Sequence, residues 1–135
     1  MPRPKQTTPT AGELEVLKVL WERGPSTVRD VMNELNQARP RAYTSVMSLM
    51  NVMSDKGLLL RKPEGRAFVY EAKRPRDKTL GGILHDVLGR AFGGSASSLV
   101  AHLLEESKPT SEELDAIRRT LAQYEETDQT SGDER

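Results

Sequence analysis

Residues 39–73 read RPRAYTSVMSLMNVMSDKGLLLRKPEGRAFVYEAK, and this stretch decides the fold. Its first half repeats apolar residues at i, i+3, i+4 and i+7 from Val46 to Met53, which predicts an amphipathic helix with one buried stripe. Gly57 is placed to end that helix. The period then becomes two on either side of the turn Lys62–Arg66, which predicts a β-hairpin with a basic tip. A helix followed directly by a basic hairpin indicates a winged helix-turn-helix, a fold that typically binds DNA.

The face of this helix opposite the apolar stripe is made of short polar side chains. At about 100° per residue, Ser45 and Val52 fall on one flank of that face and Met47 on the other. Hydroxyls and amides of this length can hydrogen-bond to base edges, whereas a solvated helix face usually carries long Glu and Lys. An ordinary exposed helix face and a solvated hairpin tip are the alternatives. The predicted DNA contacts, hydroxyls and an amide for bases and basic side chains for phosphates, are Arg41, Thr44, Ser45, Ser48, Asn51, Lys62 and Arg66.

Charge divides the chain into two halves although its net charge is zero. Residues 1–75 hold 13 Lys and Arg against 8 Asp and Glu, a net of +5, and residues 76–135 hold 7 against 12, a net of −5. This asymmetry favours one half that meets a polyanion and another that meets protein. The sequence has no cysteine, no apolar run that would cross a bilayer and a polar, proline-rich start instead of a signal peptide, so we expect a cytoplasmic protein without membrane insertion.

The remaining segments predict five further helices, which makes six in total. Thr10 and Glu13 form a capping box before the first, Ser26 or Thr27 caps the second, and Trp21 is expected to anchor the core. Beyond residue 75, three amphipathic stripes have little to pack on within one chain, which favours a homodimer. The predicted dimerisation residues are Leu80, Ile83, Leu84, Val87, Leu88, Phe92, Leu99, Val100, Leu103, Leu114, Ile117 and Leu121.

The predicted organisation is therefore mainly α. It has an N-terminal winged helix-turn-helix of three helices plus a β-hairpin wing over residues 1–75, and a C-terminal three-helix dimerisation region over residues 76–126. Residues 127–135 are polar and charged, and we expect a disordered tail. The first nine residues, which include Arg3 and Lys5, are expected to be a disordered arm, with phosphate contact as the alternative.

Four segments of the chain resemble the penicillinase-repressor (BlaI/MecI) family of winged-helix transcriptional regulators. They are residues 11–17 (AGELEVL), 42–50 (AYTSVMSLM), 56–58 (KGL) and 64–70 (EGRAFVY), and Phe92-Gly93-Gly94-Ser95 resembles the family's junction between its first two dimerisation helices. The resemblance implies a homodimeric repressor on a palindromic operator, regulation of β-lactamase or related operons, and release by proteolysis. As partners it implies double-stranded operator DNA, a membrane-bound β-lactam receptor and the protease of that system.

The chain also departs from that family pattern. Val52 stands where the family often has an arginine that would contact DNA, and Asp55 adds a negative charge beside the expected groove. Both changes lower electrostatic affinity for DNA. A winged-helix module that binds protein instead of specific DNA therefore remains the alternative function. The absence of cysteine excludes the family's copper-responsive branch.

No catalytic set, metal site or cofactor is predicted. His85 and His102 lie on different predicted helices without a nucleophile–base arrangement, so surface or interface positions are favoured and the chain is not expected to be an enzyme. With no predicted small-molecule pocket, regulation is expected to act on the polypeptide itself. The region favoured for cleavage is Gly89–Ser98, and a tight helix–helix turn at Gly93-Gly94 is the alternative.

Overall fold

The structure, a computed structural model, describes residues 8–133, with side chains through Asp128. Its elements are α1 (Ala11–Arg23), α2 (Val28–Asn36), α3 (Tyr43–Asp55), β1 (Leu59–Glu64), β2 (Ala67–Ala72), α4 (Arg76–Phe92), α5 (Ala96–Ser107) and α6 (Ser111–Asp133). The predicted class, mainly α with an N-terminal winged helix-turn-helix, is confirmed. The basic residues of the predicted arm, Arg3 and Lys5, lie outside the described residues.

Helices α1, α2 and α3 and the hairpin bury one apolar core. The capping box predicted at Thr10 and Glu13 forms, with Thr10 accepting from the amide of Glu13. Of the two residues predicted to cap α2, Thr27 does so by accepting from the amide of Asp30. Trp21 packs against the edge of the core, and its indole N–H donates to the carbonyl of residue 74 at 3.1 Å. The buried core residues are Val16, Leu17, Leu20, Val28, Val31, Leu35, Val46, Met50, Met53, Leu59 and Tyr70.

The hairpin is fixed at its base and free at its tip. Strands β1 and β2 pair antiparallel from Leu59↔Ala72 to Glu64↔Ala67. Ser26, in the turn between α1 and α2, exchanges backbone hydrogen bonds of 2.9 and 2.8 Å with Tyr70. The root of the wing is thereby joined to the helices, and the turn at Gly65, whose φ is +62°, projects outward.

The chain divides into two compact units within α4, one ending at Val87 and one beginning at Leu88. This division differs from the domain boundary predicted after residue 75. The predicted disordered tail, residues 127–135, overlaps the end of α6, which runs to Asp133. Within this end of the helix, the Thr127 hydroxyl donates to the carbonyl of Gln123 at 3.0 Å. Glu134 and Arg135 lie outside the described residues.

A three-residue turn, residues 93–95, joins α4 to α5. Gly93 and Gly94 have φ values of +57° and +82°, and the amide of Gly94 donates to the carbonyl of Leu88 at 2.8 Å, so the last carbonyls of α4 are capped. Ser95 caps α5 by accepting from the amide of Ser98 at 3.2 Å. The predicted break at Gly93-Gly94 is confirmed, and its geometry is that of a tight turn between helices.

Candidate nucleic-acid interface

Helix α3 has one buried and one exposed face, as its period predicts. Val46, Met50 and Met53 are at most 2% exposed, whereas Thr44, Ser45 and Ser48 lie on the solvent side. The α3 hydroxyls, Thr44, Ser45 and Ser48, therefore stand where a groove of DNA could reach them. Their contact with bases remains a prediction.

A groove separates α3 from the wing. It has a volume of about 430 Å³ and is lined by Thr27, Val28, Arg29, Tyr43, Met47, Asn51, Arg61, Arg66, Ala67, Phe68 and Tyr70. Paired residues of a hairpin share a face, so the Arg61↔Tyr70 and Pro63↔Phe68 pairs face α3, and the Lys62↔Val69 pair faces away. The predicted phosphate contact Arg66 thus lines this α3–wing groove, while Lys62 is exposed on the opposite face of the wing.

Two arginines that the sequence analysis missed border the α3–wing groove. The guanidinium of Arg29 lies 5.5 Å from the ring centre of Tyr43, and that of Arg61 lies 4.6 Å from the ring centre of Phe68. Such stacking holds a cation in place while its N–H groups stay available. Among residues 8–128, neither arginine is paired with a carboxylate, and neither is Arg66. The rim of the groove is consequently positive.

Asn51 joins α3 to the wing through its side-chain oxygen, and its contact with a base remains a prediction. Its side-chain oxygen accepts a 2.8 Å hydrogen bond from the Tyr70 hydroxyl and a 3.2 Å bond from the Arg61 guanidinium. Both bonds occupy the only acceptor of the amide. Asn51 therefore positions the wing and Arg61 against α3.

Arg41 precedes α3 instead of lying on its outward face, and its guanidinium pairs with Glu15 of α1. Only 15% of its side chain is exposed, and Glu15 also pairs with Arg39 at 3.7 Å. The pair links the loop before α3 to α1. Contact of Arg41 with phosphate remains a prediction.

A buried ion pair ties the start of α1 to the end of α3. Glu13 is 2% exposed and accepts from the Lys56 ammonium at 2.7 Å and from the amide of Thr10 at 2.9 Å. Burial alone would raise the pKa of Glu13, but the hydrogen bond from Lys56 and the bond from Thr10 outweigh it and hold the pKa below its ordinary value. The pair links α1 to the C-terminal end of the candidate recognition helix.

We expect Glu13→Gln to lower the free energy of unfolding by about 1–3 kcal/mol at pH 7. The glutamine side chain can still accept the capping-box hydrogen bond from Thr10. The loss in free energy of unfolding therefore reports the charge interaction between Glu13 and Lys56. Since the folded pKa of Glu13 is depressed, the stabilisation is present above the unfolded pKa and disappears as pH falls through the folded pKa. Urea unfolding of the full chain between pH 7 and pH 3 should show the variant and wild type converging in acid. A constant difference across that range would contradict the assignment.

The geometry can be compared with known proteins. The family described as "Penicillinase repressor" matches residues 9–123. The chain belongs to this family. It is 36% identical over 118 residues to the transcriptional regulator BlaI of Mycobacterium tuberculosis, covering 84% of each protein. It is 27% identical over 112 residues to the penicillinase repressor of Bacillus licheniformis, covering 83% of this chain and 88% of that one. A solution structure of the DNA-binding domain of the repressor BlaI aligns with a TM-score of 0.47 and 28% identity, over 56% of this chain and 90% of that domain.

Two residues that depart from the family pattern are surface residues of α3. Val52 is 50% exposed and Asp55 is also exposed, so both lie where they could influence a docked ligand. His85 and His102 are exposed as well, and the His102 ring lies edge-on to Phe92 with 5.2 Å between ring centres.

The described residues were compared with the requirements of a metal site and of a membrane-spanning helix. Across the side chains of residues 8–128, no three His, Asp or Glu residues are grouped closely enough to hold a metal ion. Within residues 8–133, no helix combines the length and apolar character needed to cross a membrane.

Proposed function

We propose that this chain is a DNA-binding transcriptional repressor that acts as a homodimer on a palindromic operator. The α3–wing groove carries the proposal: exposed hydroxyls lie on α3, and the arginines 29, 61 and 66 border the groove beside them. The names of the relatives, a transcriptional regulator and a penicillinase repressor, support the same function. Helix α3 enters the major groove, and the wing follows the sugar–phosphate backbone.

The contacts divide into base-reading and phosphate-holding groups. Thr44, Ser45 and Ser48 present hydroxyls that can donate to or accept from base edges. Arg66 and Arg61 hold phosphates at the wing, where their charge contributes affinity without sequence preference. Arg29 extends the positive rim to α2, and Lys62 reaches phosphates only if the DNA also contacts the outer face of the wing.

A second copy of the chain would cover the apolar residues of the C-terminal helices. No side chain of α4 or α5 is buried, although both helices carry apolar stripes. Leu84, Leu103 and Leu121 are 57%, 54% and 58% exposed. Burying this apolar surface against another copy removes it from water and stabilises the dimer.

The proposed regulatory setting is the one that the family resemblance implies. The repressor acts in the cytoplasm on β-lactamase or related antibiotic-response genes. Repression is relieved by proteolysis after a membrane-bound receptor senses a β-lactam. The receptor and its protease are thus further partners of the chain.

One observation favours a second candidate, a winged-helix module that binds protein and not specific DNA. Helix α3 contains no lysine or arginine and ends in the exposed Asp55. A recognition helix without basic residues relies on the groove rim and the wing for all its phosphate contacts.

A salt titration of the full chain on inverted-repeat duplexes, selected from a random library, separates the two candidates. For a repressor, the logarithm of the binding constant falls linearly with the logarithm of salt concentration, by about 0.9 per neutralised phosphate. We expect a steep slope. The protein-binding module would show no retention of DNA even at low salt.

Substitutions on α3 and on the wing should separate base reading from phosphate holding. We expect Ser48→Ala to cost about 1–3 kcal/mol on the selected site and to relax discrimination at one base pair. Arg66→Ala should weaken binding to all sequences alike and reduce the salt slope by about one. Lys18→Ala removes an exposed charge from α1 outside the groove lining and is the control. Unchanged binding by Ser48→Ala would show that α3 docks differently.

A further inference from the structure

Met47 is an apolar side chain among the polar groups that α3 presents to solvent. It is 36% exposed and does not belong to the buried core. Tyr43 and Asn51 lie one turn before and one turn after it, and all three line the α3–wing groove. Thr44 and Ser48, two of the α3 hydroxyls, are its neighbours on the same helix. The thioether therefore stands between the groove and the proposed base-reading face.

The chemistry of the major groove supplies a matching partner for such a side chain. Hydrogen-bond donors and acceptors fill the base edges of that groove, and the 5-methyl group of thymine is its one apolar feature. Methionine is flexible and polarisable, so it adapts to a small apolar group whose position varies slightly. Met47 is the fifth of the 13 residues of α3, in the half of a recognition helix that meets base edges.

We propose that Met47 is a specificity-determining residue that packs against the 5-methyl group of one thymine in each half-site. The proposal rests on the proposed function, because it requires α3 to dock in the major groove. The exposed Arg61 and Arg66 stand on the wing side of Met47 and would hold the backbone on that side. The thioether then meets the base edge that lies between this backbone contact and the α3 hydroxyls.

Val52 offers a matched comparison on the same helix. It is 50% exposed, but it is the tenth residue of α3, it does not line the α3–wing groove, and Asp55 lies one turn further on. Neither side chain belongs to the buried core, so truncating either one to alanine leaves that core intact. Both variants should fold, which circular dichroism and unfolding can verify.

The test removes the methyl group and nothing else from the DNA. A high-affinity palindrome is selected with the full-length protein, and each thymine is replaced in turn, symmetrically in both half-sites, by deoxyuridine. We expect one replacement to weaken wild-type binding by about fourfold per half-site, the factor that one buried methyl contributes. The same replacement should have no effect on Met47→Ala. Met47→Leu should keep the sensitivity, and Val52→Ala should keep it at that position.

The outcomes distinguish this proposal from the one on which it rests. If no sequence is selected and DNA is not retained, the repressor function fails. If a palindrome is bound tightly but no deoxyuridine replacement costs affinity, or if the cost persists in Met47→Ala, only the role of Met47 is overturned. Loss of the sensitivity in Val52→Ala instead of Met47→Ala would assign the methyl contact to Val52 and would equally overturn the proposal.

Discussion

Deletion of residues 76–135 is expected to leave a folded monomer that binds a palindromic operator about 10²–10⁴-fold more weakly than the full chain. All of the buried core residues lie between Val16 and Tyr70, so the winged helix keeps its core. What is lost is the link between two recognition helices. Binding to the second half-site then ceases to be intramolecular, and affinity falls by the lost effective concentration.

Point variants test the same prediction without shortening the chain. Leu103 and Leu121 are more than half exposed within one chain, so Leu103→Glu combined with Leu121→Glu should leave each protomer folded. Sedimentation should show a monomer at micromolar concentration, and affinity for a single half-site should match that of wild type. Lys108→Glu, an exposed charge reversal at the end of α5, is the control. A truncated protein that still dimerises, or a wild-type protein that sediments as a monomer, would contradict the assignment.

The elements of the winged helix could be predicted because their signals are local. The stripe from Val46 to Met53 and the capping residues Thr10 and Thr27 act within a few residues of sequence. Gly57 adopts a positive φ just after α3, the conformation with which glycine commonly ends a helix. In each of these features the interacting residues are close neighbours in the sequence, so the sequence alone shows them.

The contacts that side chains make with distant partners could not be predicted. Arg41 pairs with Glu15, 26 residues earlier in the sequence. Asn51 accepts a hydrogen bond from Tyr70, 19 residues later. Sequence periodicity gives the face on which a residue lies and carries no information on which side chain from another element meets it there.

Arg61 was missed for a related reason. Which of Arg61 and Lys62 faces α3 depends on the register of the hairpin, and a slip of one residue would exchange them. The register is fixed by the two-residue turn and by the bonds between Ser26 and Tyr70. Leu59 is buried and Leu60 is exposed, which shows which face of β1 meets the core. The sequence alone does not show this, because both residues are leucine.

Cleavage between α4 and α5 is expected to lower operator affinity by about the same 10²–10⁴-fold, with α3 and the wing unchanged. A cut there separates the DNA-binding half from most of the proposed dimer helices. Replacing residues 93–95 with the recognition sequence of a site-specific protease permits a controlled cut in the purified dimer. Full-site affinity should fall after digestion, while half-site affinity and the undigested variant stay at wild-type levels. Retention of full-site affinity by the digested protein would show that the two fragments remain associated.

The geometry of this turn also bears on how such cleavage would be controlled. Between α4 and α5, only residues 93–95 lie outside a helix. The hydrogen bond from the Gly94 amide to the Leu88 carbonyl closes the end of α4. A protease must open that turn before its active site can accept the chain, so the resting protein should resist a cut.

Gly94→Ala, which forces a side chain into a φ of +82°, should destabilise the turn by about 1 kcal/mol and speed limited proteolysis near residue 94. In producing cells exposed to a β-lactam, mass spectrometry should then detect fragments sooner for Gly94→Ala than for wild type. Intact repressor throughout full induction of its operon would mean that release proceeds without a cut.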